Sequence, residues 1–382
     1  NSMSVLSTSS VSSGLATMGA ERSMIFIARP YDTPRHYDGE MPRGIKEKVL
    51  TVAARFMFSL PDGLLRLIFG RPPEVAAGLT ADSWALSRVA DLIERFSDDT
   101  GIGSTREETE MFARAVSSPD TPAVETIDFD LGDTGSPLPA RLYVPLGSPE
   151  TGPLIVYFHG GGWVVGSIES HDRSCRHLAD GCGARVLAVD YRLAPEHPFP
   201  AAADDALRAW HAVAADPAKF GTRQGSVAVA GDSAGGNLAA VLCQDLLRAR
   251  ESQPRFQLLI YPVTQIGAKL SSKSDYATGF YLTTERMDWY DERYAGPEDD
   301  YRASPLVGED LAGLAPAWIV TALADPLRDE GEAYAERLAE DGVEVRCDRF
   351  PLVHAWFNIT ASRSSRAAHA VLAEGLARRF AD

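Results

Sequence analysis

The 382-residue chain has few cysteines and a shortage of basic residues. Its four cysteines fall at spacings that match neither a zinc site nor a redox pair. A long chain with so few cysteines is typical of a reducing compartment, so we expect a cytoplasmic protein. Lys and Arg number 37 against 53 Asp and Glu, which gives a formal net charge of −16. Such an acidic surface repels phosphate backbones, so we expect no nucleic-acid partner.

Long apolar runs are also missing. No stretch reaches about 18 uninterrupted apolar residues, the length that a bilayer-spanning helix needs, so we expect no transmembrane segment. Residues 1–18 carry seven serines and no basic residue. Because a secretory signal needs a basic start and a compact apolar core, we interpret residues 1–24 as a disordered leader.

From about residue 123 onward, short β-rich runs alternate with helical patterns. The first two runs alternate in polarity, whereas most later ones are almost wholly apolar. Wholly apolar runs suit strands that are buried on both faces of a parallel sheet, with helices crossing over between them. We therefore predict an α/β fold. The predicted strands are 123–131, 140–144, 154–158, 185–190, 226–230, 257–263, 317–322 and 343–350, and the clearest helical patterns are 201–215, 234–250, 326–340 and 362–380.

Two stretches do not follow this alternation. Residues 25–117 show helical patterns only, and residues 264–311 form an insertion rich in aromatic and charged residues. Ligands of open α/β sheets bind at the carboxyl ends of the strands, and helical insertions there commonly cover the site. We expect the stretch 46–70, with its apolar runs at 49–60 and 64–69, to pack into the core. A helix that lies on a membrane surface is the alternative.

The segment Gly231–Gly235 has the sequence Gly-Asp-Ser-Ala-Gly, between a predicted strand and a predicted helix. In that setting G-x-S-x-G is a nucleophile elbow, where small neighbours let the backbone make a strained turn around the serine. Ser233 is therefore the candidate nucleophile. Without its flanking elements, the motif would fit a structural glycine-rich turn equally well.

Three consecutive glycines, at 160–162, follow the predicted strand 154–158. Bare backbone of this kind can approach a ligand closely and point N–H groups at an oxyanion, together with the N–H after the nucleophile. The candidate donors are Gly161, Gly162 and Ala234. A phosphate-binding loop is the competing interpretation, but no Gly-Lys-Ser/Thr and no G-x-G-x-x-G spacing accompanies the cluster.

Two further residues have the chain order that a serine nucleophile needs. In enzymes with a nucleophile elbow, the acid and the histidine follow the serine at later strand ends. Asp325 and His354 each follow a predicted strand. The rival acid, Asp329, would lie inside a helix. The rival base, His369, belongs to the terminal helical pattern and is interpreted as a solvent-exposed residue.

Other polar residues of these motifs are expected to brace the loops instead of reacting. His159 stands directly before the three glycines, and Arg192 and Glu196 belong to the segment Tyr-Arg-Leu-Ala-Pro-Glu at 191–196. Buried polar groups are usually paired, so internal hydrogen bonding is the expected role of these side chains.

Four motifs together resemble the bacterial hormone-sensitive-lipase-like esterases. They are His-Gly-Gly-Gly-Trp at 159–163, Tyr-Arg-Leu-Ala-Pro-Glu at 191–196, Gly-Asp-Ser-Ala-Gly-Gly at 231–236 and Asp-Pro-Leu-Arg-Asp at 325–329. The resemblance covers about residues 120–380. It implies an α/β-hydrolase fold with an eight-stranded, mostly parallel sheet in a catalytic domain at 118–382. It also implies a helical cap formed by residues 25–117 and about 264–311.

The same resemblance implies a catalytic triad of Ser233, Asp325 and His354, and an oxyanion hole formed by Gly161, Gly162 and Ala234. The implied function is a serine carboxylesterase that hydrolyses short- to medium-chain esters through an acyl-enzyme, with no metal and no organic cofactor. A hydrolase of amides, lactones or carbamates with the same triad is the alternative. A non-catalytic receptor on this fold would lack the working histidine, which is present here. A homodimer is compatible with the sequence.

Overall fold

In the computed structural model, which describes residues 43–94, 101–132 and 135–381, eight strands form one sheet. The leader predicted at 1–24 and the start of the predicted cap region lie outside these residues. The strands are β1 (Val124–Asp130), β2 (Pro139–Pro145), β3 (Leu154–Phe158), β4 (Arg185–Val189), β5 (Val227–Asp232), β6 (Gln257–Ile260), β7 (Ala317–Ala324) and β8 (Val345–Val353).

The sheet is mostly parallel, as predicted. Its strand order is β1-β2-β4-β3-β5-β6-β7-β8. The pairs β1–β2 and β2–β4 are antiparallel, and all the pairs from β4 to β8 are parallel. Each predicted strand corresponds to one strand of the sheet. β5 ends two residues beyond its prediction and β8 three residues beyond, which brings both strands up to the residues singled out as candidates.

Eleven α-helices surround the sheet in the described ranges. They are α1 (Arg43–Ser59), α2 (Asp62–Phe69), α3 (Ala81–Glu94), α4 (Ile102–Ala115), α5 (Ile168–Cys182), α6 (Ala201–Ala215), α7 (Ala234–Ala249), α8 (Ser271–Asp275), α9 (Thr284–Tyr294), α10 (Arg328–Glu340) and α11 (Arg363–Ala381). The four clearest predicted helices are α6, α7, α10 and α11. The pattern of α5 is harder to detect because its buried face includes Ser170, His171 and Ser174.

Apolar clusters fill both faces of the sheet. One cluster joins the sheet to α6, α7 and α10, and the other joins it to α5 and α11. Strand β3 shows the alternation directly, because Leu154, Val156 and Phe158 belong to the first cluster while Ile155 and Tyr157 belong to the second. All five side chains are fully buried. Burial on both faces explains why such strands have no polar positions in the sequence.

A third apolar cluster lies at the carboxyl end of the sheet. It brings together α2, α3 and the segment 276–281 with Ala324 and Val353, the last residues of β7 and β8. The two stretches that break the strand–helix alternation therefore pack against each other at this edge. None of the helices in the described ranges is long and apolar enough to cross a bilayer.

The expectation that the apolar runs at 49–60 and 64–69 are core is wrong for much of both helices. Of the large apolar side chains, α1 and α2 bury Met57, Phe58 and Leu65. Seven others are exposed, because each helix carries apolar residues on two faces and the protein covers one of them. The exposed residues are Ile45, Val49, Val52, Phe56, Leu64, Leu67 and Ile68.

Candidate active site

Ser233 lies on the tight turn between β5 and α7. Its backbone φ is 54° and its ψ is −119°, a conformation that costs a residue other than glycine roughly 1–3 kcal/mol. The flanking glycines permit the turn. A Cβ atom at Gly235 would overlap the carbonyl group of Phe158, and one at Gly231 would overlap the backbone of Gly235. The strand–turn–helix geometry predicted around Ser233 is therefore present.

The structure brings Ser233, His354 and Asp325 together from three strand ends. His354 Nε2 lies 3.1 Å from Ser233 Oγ, and His354 Nδ1 lies 2.7 Å from Asp325 Oδ2. All three side chains are buried, and Asp325 is fully enclosed. The Leu327 N–H donates to Asp325 Oδ1 at 2.9 Å and fixes the carboxylate. A proton on Nδ1, donated to this carboxylate, leaves the Nε2 lone pair facing the serine.

Neither rival residue joins this arrangement. Asp329 lies in the first turn of α10, as expected, where it pairs with Arg328 at 2.7 Å and accepts from the Ser272 N–H. His369 does not have the predicted exposure. It is buried where α11 packs against α5, and its Nε2 lies 2.7 Å from the Phe357 carbonyl oxygen. Burial lowers the pKa of His369 to about 4 because it disfavours the charged imidazolium.

The glycine loop after β3 lines the same cavity as Ser233 and His354. Gly161 and Gly162 have φ values of 120° and 58°, in the region that favours glycine. A Cβ atom at Gly161 would overlap the Val165 carbonyl group, and one at Gly162 would overlap the ring of Tyr290. Ala234, the third candidate donor, is the first residue of α7. Its N–H belongs to a helix N-terminus, where backbone N–H groups are available to anions.

The Asp232 carboxylate holds the glycine loop against the turn that carries Ser233. It accepts hydrogen bonds from the Gly160 N–H at 2.8 Å, the Tyr157 hydroxyl at 2.5 Å and the Tyr261 hydroxyl at 3.3 Å. His171 Nε2 lies 3.3 Å away. Burial raises the pKa of Asp232, but the charge of His171 and these hydrogen bonds outweigh burial and hold the pKa below its usual value.

His159, Arg192 and Glu196 make the internal contacts expected of them. His159 Nδ1 lies 2.8 Å from the Gly160 carbonyl oxygen. Burial lowers the pKa of His159 to about 3, so its ring is neutral at physiological pH. Arg192 binds the buried Asp205 carboxylate through two nitrogens, and Glu196 pairs with Arg106 of α4 at 2.7 Å. These side chains support loops and do not contact Ser233.

A cavity of about 610 Å³ lies above Ser233. Helices α3 and α4 contribute residues such as Ala90 and Phe112 to its lining, and α9 with the residues before it contributes others, including Tyr281 and Tyr290. The lining is mainly apolar and aromatic, with the polar atoms of Ser233, His354 and the glycine loop at the base. This composition is typical of a site for a small organic molecule.

Comparison with known proteins gives one consistent result. A family described as alpha/beta hydrolase fold matches residues 155–358. The carboxylic ester hydrolase LipN of Mycobacterium tuberculosis is 38% identical over 79% of this chain and 84% of its own length. The ethyl acetate hydrolase of Pseudomonas putida is 42% identical over 57% of this chain and 70% of its own. The chain belongs to the hormone-sensitive-lipase-like carboxylesterase family of α/β hydrolases.

Solved structures of this family agree with the fold. The ester-hydrolase EH1AB1 from the metagenome of Lake Arreo, complexed with a derivative of bipyridine phosphonate, is 36% identical and covers 80% of this chain and all of its own, with a TM-score of 0.76. The hyperthermophilic esterase from the archaeon Pyrobaculum calidifontis is 37% identical and covers 76% of this chain and 97% of its own, with a TM-score of 0.71.

A group of charged residues from α8, α9 and α10 lies at this cavity, and the motifs do not reveal it. Lys273 pairs with the fully buried Glu330 at 2.7 Å. Half-buried Asp291 lines the cavity with Lys273. Burial raises the pKa of Asp291 to about 7, and repulsion from Glu330 adds to the shift while attraction to Lys273 opposes it. Asp291 therefore changes its charge near neutral pH.

Sequence reasoning missed the parts that Asp232, His171 and Tyr290 play in this site. Asp232 carries a signal, because it precedes the nucleophile within the motif itself. His171 and Tyr290 carry none. They lie on α5 and α9, and only the fold brings them to the carboxylate and to the glycine loop.

Proposed function

We propose that this protein is a serine carboxylesterase in which Ser233, His354 and Asp325 form the catalytic triad. The observation that carries the proposal is the continuous contact from Asp325 through His354 to Ser233, at 2.7 and 3.1 Å, at the base of the cavity. A nucleophile within reach of a base that a third group orients is the arrangement that acyl transfer requires.

The reaction has two halves. His354 Nε2 takes the hydroxyl proton of Ser233 as Oγ attacks the ester carbonyl carbon, and a tetrahedral oxyanion forms. The intermediate collapses, His354 gives the proton to the departing alcohol oxygen, and an acyl-enzyme remains. A water molecule then attacks the acyl carbon while His354 takes its proton. The second collapse releases the carboxylic acid and returns a proton to Ser233. Asp325 stays ionised and stabilises the imidazolium. These steps need no metal and no organic cofactor.

The oxyanion of both tetrahedral intermediates binds the N–H groups of Gly161, Gly162 and Ala234. The positive φ values of the two glycines and the position of Ala234 at the start of α7 support this role. Such donors act through their fixed positions, because they need no reorganisation when negative charge develops. Loss of one donor typically costs about 10²- to 10³-fold in kcat.

The N-terminal helices and the 264–311 segment act as a cap over the substrate. The walls that α3, α4 and α9 contribute to the cavity support this role. We expect acyl chains of about two to eight carbons, in keeping with the cavity size and its apolar lining. The name of the Pseudomonas putida relative, an ethyl acetate hydrolase, agrees with a small ester.

The enzyme works in the cytoplasm, where a reducing environment keeps its four free cysteines as thiols.

Hydrolysis of p-nitrophenyl esters from C2 to C12 tests the proposal. We expect turnover of the short esters, and a loss of at least about 10⁴-fold in Ser233→Ala because the nucleophile is gone. Ser148→Ala is the matched control, since its hydroxyl bonds to a backbone carbonyl in a remote turn. A fluorophosphonate should add one covalent group to Ser233.

Two results would overturn the assignment. Turnover that persists in Ser233→Ala would remove the nucleophile from the mechanism. Inertness toward every ester, with turnover of the matching p-nitroanilides that Ser233→Ala abolishes, would identify an amidase with the same triad.

A further inference from the structure

Helix α1 carries a second apolar face that the rest of the described residues do not cover. Four of its large apolar side chains recur at intervals of four, three and four residues, and at 100° per residue they fall within an arc of about 60°. Their exposed fractions are between 51% and 68%. The opposite side of the helix buries Met57 and Phe58. We call this exposed row the α1 stripe, and it consists of Ile45, Val49, Val52 and Phe56.

Helix α2 repeats the arrangement in the next turns of the chain. Leu64, Leu67 and Ile68 are 40%, 80% and 56% exposed, while Leu65 is buried. The α1 stripe and these three residues make up seven of the twelve exposed large apolar side chains in the described ranges. They fall within 24 consecutive positions of a 382-residue chain. Scattered surface apolar residues are normal, but a concentration of this kind marks an interaction surface.

The charge of this segment is opposite to that of the rest of the protein. Residues 43–71 contain six basic and two acidic residues, although the chain as a whole has a net charge of −16. Lys48 and Arg55 are exposed and flank the α1 stripe on one side of the helix. Basic side chains beside an apolar row can reach lipid phosphates while the apolar residues enter the acyl region.

We propose that α1 and α2 dock this protein onto an anionic lipid surface. The helices would lie in the plane of the interface, with the α1 stripe and the exposed residues of α2 inserted. The lipid phosphates would neutralise Lys48 and Arg55. A second copy of the chain fits less well, because its α1 stripe offers no anionic groups for Lys48 and Arg55, and an antiparallel pairing of two α1 stripes would bring the basic flanks of both copies together, where like charges repel.

The docking surface lies beside one wall of the esterase cavity. Lys46 of α1 pairs with Glu108 of α4 at 3.1 Å, and Glu108 also lines the cavity. Glu47 and Arg114 join the same two helices at 3.0 Å. Docking would therefore hold the cavity close to the boundary where esters with apolar acyl chains accumulate. The docking itself does not depend on the proposed esterase activity and is tested without it.

Sedimentation of the full chain with extruded vesicles tests the proposal. We expect binding to phosphatidylcholine vesicles that contain about 30% phosphatidylglycerol, at least tenfold weaker binding to phosphatidylcholine alone, and release as NaCl rises from about 50 to 500 mM. The double variant Val52→Ser/Phe56→Ser should lose binding at least tenfold, since it removes the insertion. Lys48→Glu/Arg55→Glu should lose binding to the anionic vesicles by a similar factor.

Matched controls separate this surface from general effects of the substitutions. Val371→Ser changes an exposed apolar residue on α11, and Arg223→Glu reverses an exposed basic residue ahead of β5. Both should bind vesicles as the wild type does. Failure of the wild type to sediment with anionic vesicles would overturn the proposal, and so would undiminished binding by Val52→Ser/Phe56→Ser. A dimer that this double variant dissociates, without vesicle binding by the wild type, would assign the surface to a second copy and also overturn it.

Discussion

Asp232 and Asp291 are carboxylates in the lining of one cavity, and their surroundings shift their pKa values in opposite directions. Asp232, at the base, receives three hydrogen bonds and lies beside His171, so its pKa is held below the usual value in spite of burial. Asp291, in the α9 wall, has lost part of its contact with water, and the charge of Glu330 repels it. Both effects raise its pKa, which is about 7. Burial alone therefore does not decide the charge of a carboxylate, because the donors around it do.

The two carboxylates belong to parts of the cavity that are built differently. The base of the cavity is made by strand ends and by a glycine loop that Asp232 fixes to the nucleophile turn. The wall is made by helices that pack through apolar side chains, with charged residues among them. Electrostatic stabilisation of a transition state requires hydrogen-bond donors in fixed positions. The candidate donors of this protein lie at the base of the cavity, so we expect activity to depend on that part most. The following substitutions test the division.

Among the substitutions that compare the base with the wall, Gly162→Ala should produce the largest loss of activity. A Cβ atom at this position would overlap the ring of Tyr290, and the φ of 58° is unfavourable for alanine. The loop must then shift, so we expect kcat to fall about 10²- to 10³-fold, as after loss of an oxyanion donor. Steady-state kinetics with a p-nitrophenyl ester would measure the loss.

Gly183→Ala is the matched control for backbone strain. Gly183 has a similar φ of 68° at the end of α5, with open space around the missing Cβ. This variant should lose about 1 kcal/mol of stability and keep its kcat. A wild-type kcat in Gly162→Ala would show that the loop does not hold the oxyanion.

Asp232→Asn should reduce kcat about 10- to 100-fold with little change in KM. An amide oxygen cannot accept all the hydrogen bonds that the carboxylate receives, so the glycine loop loses part of its support. Affinity for a phosphonate transition-state analogue should fall by the same factor as kcat. The lowered pKa also means that Asp232 contributes stability at neutral pH, which is lost as the pH falls below about 4.

Asp205→Asn is the matched control for a buried carboxylate. Asp205 is fully enclosed and binds Arg192 and Arg208, away from the reacting atoms. We expect this variant to lose stability in urea denaturation while its kcat stays close to the wild-type value. Equal kcat losses in both variants would mean that Asp232 acts through general stability.

Asp291→Asn should have the smallest effect on turnover and a distinct effect on stability. The raised pKa means that the folded state binds its proton more tightly than the unfolded state does. Stability from Asp291 is therefore complete below about pH 4 and is lost as the pH rises through about 7. The variant should be more stable than the wild type at pH 8, by about 1–3 kcal/mol, and similar to it at pH 4.

Urea denaturation at the two pH values measures this difference. Glu292→Gln, an exposed acidic residue on the same helix, should change stability little at either pH. Equal effects of Asp291→Asn at pH 4 and pH 8 would contradict the pKa shift.

The sheet and the turn around Ser233 could be predicted because their signals are local, whereas Asp325 and His354 are identified by their chain order and by the family resemblance. A wholly apolar run such as 154–158 identifies a strand buried on both faces, and the elbow around Ser233 identifies its own turn. The exposure of α1 could not be predicted, because an apolar pattern does not say which partner covers it. The burial of His369 also depends on helix packing that a single helical pattern does not contain.

Strand order has a mechanical consequence for the proposed triad. Asp325 and His354 follow β7 and β8, which are neighbours, so their separation is fixed by one backbone ladder. Ser233 follows β5, three strands from β8, a distance of about 14 Å at the usual strand spacing. The Ser233–His354 contact joins β5 and β8 across β6 and β7, so sliding between neighbouring strands accumulates over three ladders and lengthens this contact more than the histidine–aspartate contact. On warming, Ser233 should therefore separate from His354 before His354 separates from Asp325.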